Sequence, residues 1–166
     1  MPPHDATVHD HIALIGRAWI AAAEQGNDAA VTMLADAAER ALSANDLAPR
    51  LRMLMDIARL GRPDLAAAAL EAGPTEYDGS FLPTVVAAIR ALAGVDPVPL
   101  MEAAEALHAA GFRVLAAELG AGAWQRAQDR GDEPRTVAQY ARRAQEMRDM
   151  IDAFATPALT VARPEV

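Results

Sequence analysis

The residues best suited to chemistry lie near the start of the chain, where His4, His9, Asp10 and His11 are close together in sequence. Imidazole and carboxylate groups are ligands that zinc and nickel accept. On a helix, however, His9 and His11 point about 200° apart, so only one of them can share a site with a given third ligand. An exposed chain terminus explains the same residues. The pattern favours that interpretation over a metal site.

Other arrangements typical of catalysis are weak in this sequence. Ser43 and Ser80 are the only serines, and neither has a histidine close to it in sequence. His108 is expected near the end of a helix, where an imidazole complements the helix dipole. Asp36 and Glu39 share a helix face without an obvious partner. The sequence therefore predicts no catalytic, cofactor-binding or metal-binding residues, although a site assembled in space from distant residues stays open as an alternative.

Nucleotide chemistry is also not indicated. The chain contains no lysine and no GxxxxGK[ST] sequence, so it lacks the loop that cradles phosphates in many NTPases. The Gly120-Ala121-Gly122 sequence is too short for a dinucleotide loop and lies deep in a helical segment. We expect these glycines to allow a close helix approach opposite Trp124.

Composition predicts an all-α fold. Of the 166 residues, 41 are alanine, only 4% are aromatic and none is cysteine. Alanine has the highest helix propensity and little side-chain volume, so closely packed, thin helices are expected. Disulfides and thiolate metal sites are excluded because cysteine is absent.

The net charge and the apolar runs of the chain limit which classes of partner are expected. The net charge of −8 argues against direct nucleic-acid binding, which requires a basic surface. No apolar run is long enough for a membrane span, and the N-terminus lacks the regions of a signal peptide. The sequence therefore predicts a cytoplasmic location, with no nucleic acid or membrane partner.

Periodicity and turn residues divide the chain into about eight helices in antiparallel hairpins. A flexible leader is expected at 1–6, a helical repeat domain at 7–155 and a linker or tail at 156–166. The helices are expected at about 7–25, 27–45, 47–60, 64–72, 82–93, 98–110, 112–130 and 132–154.

Four of the turns resemble one another, because in each a helix ends at a glycine and apolar residues resume a few positions later. These glycines are Gly26, Gly61, Gly111 and Gly131. The sequence spacing between Gly26 and Gly61 is close to the ~34-residue tetratricopeptide period, whereas the spacings between the later glycines depart from it. A tetratricopeptide-like solenoid is predicted, with a closed helical bundle as the alternative.

The last two helices differ in how many sides are apolar. The seventh has two apolar stripes, one containing Leu115 and Leu119 and one containing Ala121 and Trp124, which predicts packing on both sides. The eighth has a single stripe from Val137 to Phe154 and a charged opposite face. We expect it to cap the domain, with a coiled-coil seam as the alternative.

Several of these segments resemble the helical region that precedes the DNA-binding domain in actinobacterial LuxR-family regulators with a STAND-type ATPase. The resemblance lies in RLGRPDLAAAAL at 59–70, AAEALHAAGFRVLAAELGAGAWQRA at 103–127 and the Thr-Pro-Ala-Leu sequence at 156–159. The DMIDAFA sequence at 149–155 departs from the family pattern.

The resemblance implies a non-enzymatic sensor, coupling or protein-interaction domain without a cofactor. It implies an ATPase before this segment and a helix-turn-helix after it. A protein, a peptide or a small effector would bind in the groove between hairpins. No residue role transfers, because the family's chemistry lies in the flanking domains. A small-molecule-binding helical protein or enzyme with an unrecognised site is the alternative.

Overall fold

The computed structural model describes residues 8–74, 79 and 81–151. Within these ranges it contains eight α-helices and no strand, which confirms the all-α prediction. The helices are α1 (Val8–Gln25), α2 (Asn27–Ser43), α3 (Leu47–Arg59), α4 (Pro63–Glu71), α5 (Phe81–Ala93), α6 (Pro97–Ala109), α7 (Arg113–Arg130) and α8 (Pro134–Asp149).

The chain divides into two compact units, Met1–Tyr77 with α1 to α4 and Asp78–Val166 with α5 to α8. In the first unit, each helix packs on the next along the chain, and α1 also contacts α3. Its core contains Leu34, Leu51 and Leu54. The predicted single domain over 7–155, with its leader and tail, stays a prediction.

The second unit shows the same sequential order, with α6 packed on α5, α7 on α6 and α8 on α7. Ile89, Leu100, Leu107 and Leu119 are fully buried in it. This order within each unit suits a helical repeat, and it is also compatible with a bundle.

Several of the turns between helices contain a residue with a left-handed backbone conformation. At Gly61, Gly111 and Gly131 the φ angles are 91°, 87° and 73°. In each turn, this residue and the next one donate their amides back to the last turn of the preceding helix. This is the Schellman arrangement, which satisfies carbonyls that would otherwise lack a donor.

Gly26 differs from the other three glycines although the sequence grouped them together. Its φ angle is also positive, at 97°, but its amide donates to the carbonyl of Ala22, four residues earlier. The fourth turn with the shared hydrogen-bond pattern is centred on Asn45 instead, at a φ of 56°. Asparagine tolerates the left-handed region better than most residues, which explains why it can take the position that glycine has in the other turns.

The last helix is shorter than predicted. Its start moves from 132 to Pro134, because the amide of Asp132 belongs to the preceding turn and donates to the carbonyl of Ala127. Proline suits this first position because its missing amide would have no helical partner there. The helix ends at Asp149, and the amide of Ile151 closes a tight turn on the carbonyl of Arg148. The remaining predicted stretch, 152–154, lies outside the described residues.

Candidate functional site

The histidines near the N-terminus do not assemble a metal site in the part that is described. His11 Nε2 lies 3.4 Å from Asp46 Oδ2, which places an imidazole of α1 beside the residue that precedes α3. Across residues 8–74, 79 and 81–151, no group of three histidine or acidic side chains is arranged to hold a metal ion. His4 and the side chain of His9 lie outside the described residues.

The other polar residues singled out in the sequence lie at separate places along the helices. His108 lies in the last turn of α6, and its carbonyl accepts the amide of Gly111. The Ser43 hydroxyl donates to the carbonyl of Glu39, 3.0 Å away, within α2. Ser80 lies outside the described residues. Asp36 and Glu39 are exposed on α2.

The two glycines of α7 allow neighbouring helices to approach, as expected. A Cβ atom added at Gly120 would lie 3.2 Å from Met147 Sδ on α8. One added at Gly122 would lie 3.3 Å from Leu100 Cδ2 on α6. Since these glycines face different helices, α7 is packed on two sides and has a structural role.

A buried carboxylate on α3 is the most unusual polar group in the first unit. Asp56 is only 4% exposed. Arg59 Nη1 donates to its Oδ1 at 2.6 Å, and the indole Nε1 of Trp19, on α1, donates to the same oxygen at 3.3 Å. The Arg59 guanidinium also lies 4.8 Å from the centre of the Trp19 ring, a cation–π contact. The cluster therefore ties α1 to α3.

Burial raises the pKa of Asp56, while the charge and hydrogen bond of Arg59 and the hydrogen bond of Trp19 partly offset this effect. The two hydrogen bonds accepted by Oδ1 hold this carboxylate in place between α1 and α3. Sequence reasoning missed this cluster. The available signal was a single acid between Met55 and Ile57 on a helix that is otherwise apolar there.

Two arginines bind the carboxyl-terminal ends of neighbouring helices. Arg50, which is 1% exposed, donates from α3 to the carbonyl of Ala69 near the end of α4. Gly73 makes room for it, because a Cβ there would overlap the guanidinium. In the second unit, Arg126 donates to the carbonyls of Ala91 and Leu92, each at 2.8 Å. Both satisfy terminal carbonyls and the negative end of a helix dipole.

A surface network lies where α7 ends and α8 begins. Arg130 donates to Asp132 through Nε at 2.6 Å and to Asp96 through Nη1 at 3.1 Å. The hydrogen bond from Arg130 lowers the pKa of Asp132. Partial burial, together with the charge of Asp96, raises the pKa of Tyr140. These pairs join the end of α7 to the turn that follows it and to Asp96, the residue that precedes α6.

The outer face of α1 is an apolar surface that the fold leaves exposed. It consists of Ile12, Ala13, Gly16, Ile20 and Ala23, which are all exposed. Their spacing of three and four places them on one side of the helix. Ile12 is 51% exposed and Ile20 is 58% exposed. On the opposite side, Ile15, Ala18 and Ala21 are buried in the first unit.

No packing contact among the described residues explains why position 16 is a glycine. A Cβ atom added there would have no heavy atom within 4 Å, and the backbone is helical. Glycine inside a helix is less favourable than alanine by about 1 kcal/mol. The outer face of α1 is thus apolar and open, and it has a shallow centre at Gly16.

Within the described ranges, no helix combines the length and apolar character needed to cross a membrane. No protein-family model matches the sequence. Comparisons with curated proteins and with solved structures also find no significant match. The candidate site therefore depends on the geometry alone.

Proposed function

We propose that this chain is a non-enzymatic helical-repeat module that acts by binding another protein, and that the outer face of α1 is its working surface. The observation that carries the proposal is the exposure of Ile12 and Ile20 on either side of the open position at Gly16. Contiguous exposed apolar surface favours a protein interaction site, because leaving it in water is unfavourable.

The contrast with α8 supports this choice of surface. Ala144 and Met147 of α8 are buried against α7, while Arg142, Arg143 and Glu146 are exposed. Arg142 and Glu146 form an ion pair, with 3.7 Å between Nε and Oε1. End helices of repeat proteins need such a polar outer face. The outer face of α1 is apolar instead, and it therefore suits a docked partner.

The proposed setting is the sensor or coupling region of a cytoplasmic LuxR-type regulator with a STAND-type ATPase. It is supported by the resemblance at 59–70, 103–127 and 156–159. In this setting, the partner of the module would be a flanking ATPase or DNA-binding domain, or a separate protein. Binding of a peptide or a small effector in the groove between hairpins stays a prediction of the same setting.

Two assays test the non-enzymatic part of the proposal. We expect the purified chain neither to bind labelled duplex DNA at about 150 mM salt nor to hydrolyse ATP in the presence of magnesium. The net charge of −8 opposes contact with phosphates, and duplex affinity depends on basic side chains. Saturable duplex binding in the low-micromolar range, or turnover above a heat-denatured control, would overturn the proposal.

The regulator setting has its own test in the coding sequence on either side of this segment. A helix-turn-helix encoded immediately after Val166 supports the setting. An in-frame stop codon at that position contradicts it and leaves the binding role to be judged on its own.

A further inference from the structure

We infer that the partner of the outer face of α1 is an amphipathic helix whose polar flanks carry basic residues. This inference rests on the proposed function and adds the chemistry of the partner. Two properties lead to it: the shape of the face, which suits a helix, and the net charge of α1 and of the α2 helix packed on it, which is negative.

The shape suits a helix because the apolar positions form a straight stripe along α1. Ile12, Gly16 and Ile20 are four residues apart, so the two isoleucines stand on either side of the open glycine. The stripe from position 12 to position 23 is about 17 Å long at 1.5 Å per residue, or about three turns. A partner side chain can enter above Gly16, and its helix can lie between the isoleucines. Docking of an apolar helix face onto such a surface is a common recognition mode.

The surrounding charge selects a basic partner. Charged residues of α1 flank the stripe at seven-residue intervals, at positions 10, 17 and 24, and two of these three are acidic. On α2, which packs on α1, Asp28, Asp36 and Glu39 are also exposed. Together, α1 and α2 hold five acidic residues and two arginines, a net charge of −3: Asp10, Glu24, Asp28, Asp36 and Glu39 against Arg17 and Arg40.

The same charge argues against two other occupants. A second copy of this chain would bring two chains of net charge −8 together, and like charges across an interface are unfavourable. Nucleic acid and anionic membranes carry negative charge as well. A basic amphipathic helix satisfies both the apolar stripe and the acidic surroundings, and electrostatic attraction would accelerate its association.

The inference can be tested with two synthetic 18-residue peptides that share one leucine and alanine stripe. One carries lysine at every polar position, and the other carries glutamate. Binding of each labelled peptide is measured by fluorescence anisotropy at about 50 mM and about 500 mM salt. We expect the lysine peptide to bind at least about ten-fold more tightly at low salt, and the difference to narrow at high salt because charges are screened.

Substitutions on α1 test whether the lysine peptide binds at its outer face. The double variant Ile12→Gln with Ile20→Gln removes the apolar anchors and keeps good helix formers, so its fold should be retained. The matched control is Val95→Gln, since Val95 is 87% exposed and lies between α5 and α6. We expect the double variant to lose affinity for the lysine peptide by at least about ten-fold and the control to keep it, with equal helicity by circular dichroism.

The outcomes separate this inference from the proposed function. Equal or tighter binding of the glutamate peptide, lost in the double variant, overturns the basic partner and leaves a binding role for the face. Self-association of the chain that the double variant abolishes assigns the face to a second copy and overturns the inference in the same way. Lysine-peptide binding unaffected by the double variant, or absent, also overturns it, whereas DNA binding or ATP turnover overturns the proposed function itself.

Discussion

The helices α1 and α7 are alike in sequence and opposite in environment. Both are 18 residues long, alanine-rich and interrupted by glycine. Around Gly120 of α7, an added Cβ would meet Met147 and Ala144 of α8, whereas around Gly16 of α1 it would meet nothing within 4 Å. The same residue type therefore allows close packing inside the second unit and leaves an opening on the surface of the first.

The tryptophans of the two helices differ in a related way. Trp124 of α7 is buried, in a stretch of small residues. Trp19 of α1 is only partly buried, and its indole donates to the carboxylate of Asp56. The second unit is thus held at α7 by close packing of small residues, while in the first unit a polar cluster supports the attachment of α1. The following predictions test that contrast.

The largest effect is expected from Gly120→Leu, which should destabilise the second unit by about 3 kcal/mol because the added side chain overpacks the contact with α8. Gly122→Leu should cost less, about 1–2 kcal/mol, since its one close neighbour is a flexible leucine terminus. Urea unfolding followed by circular dichroism measures both. Gly16→Leu is the matched control, and a loss as large as that of Gly120→Leu would contradict the contrast.

The next effect concerns the polar cluster. Asp56→Ala should destabilise the first unit by about 2 kcal/mol, because it leaves the Arg59 guanidinium and the Trp19 indole without their acceptor. Asp28→Ala, at an exposed position of α2, should change stability by less than about 0.5 kcal/mol. Similar melting curves for the two variants would show that the cluster does not hold α1.

A smaller effect of opposite sign is expected from Gly16→Ala. Alanine is the better helix former, and nothing surrounds the added methyl group, so the first unit should gain about 0.5–1 kcal/mol. Gly120→Ala should be close to neutral, since the gain in helix propensity is offset by the contact with Met147. A loss of stability in Gly16→Ala would mean that the outer face of α1 is covered in the folded chain.

The smallest effect is a pH dependence. Burial raises the pKa of Asp56 above the ordinary value of an aspartate, so the folded chain binds this proton more tightly than the unfolded chain does. The stability contributed by this group is therefore present below the unfolded pKa and is lost as pH rises through the folded pKa. Relative to Asp56→Asn, the wild type should lose stability as pH rises above about 4. A relative gain over that range would contradict the direction of the shift.

The helices and the two-sided packing of α7 were predictable from the sequence, because local propensity and turn residues decide them. Gly61, Gly111 and Gly131 end their helices as the pattern indicated. The Asp56 cluster was not predictable, since its members lie on separate helices and only the tertiary fold brings Trp19 to Asp56. The exposure of the outer face of α1 could not be predicted either. The sequence shows that a helix has two apolar sides, but it does not show whether one side or both are covered.

The most direct test of the central claim is protection of a single cysteine on α1 from alkylation. The chain has no cysteine, so Ala23→Cys introduces a unique thiol at the edge of the outer face, and Ala93→Cys at the end of α5 is the control. Both positions are exposed. We expect the lysine peptide to slow alkylation of the Ala23→Cys thiol and to leave the rate at the control unchanged. Equal protection at both thiols, or protection of the control alone, would contradict the assignment of α1 as the binding face.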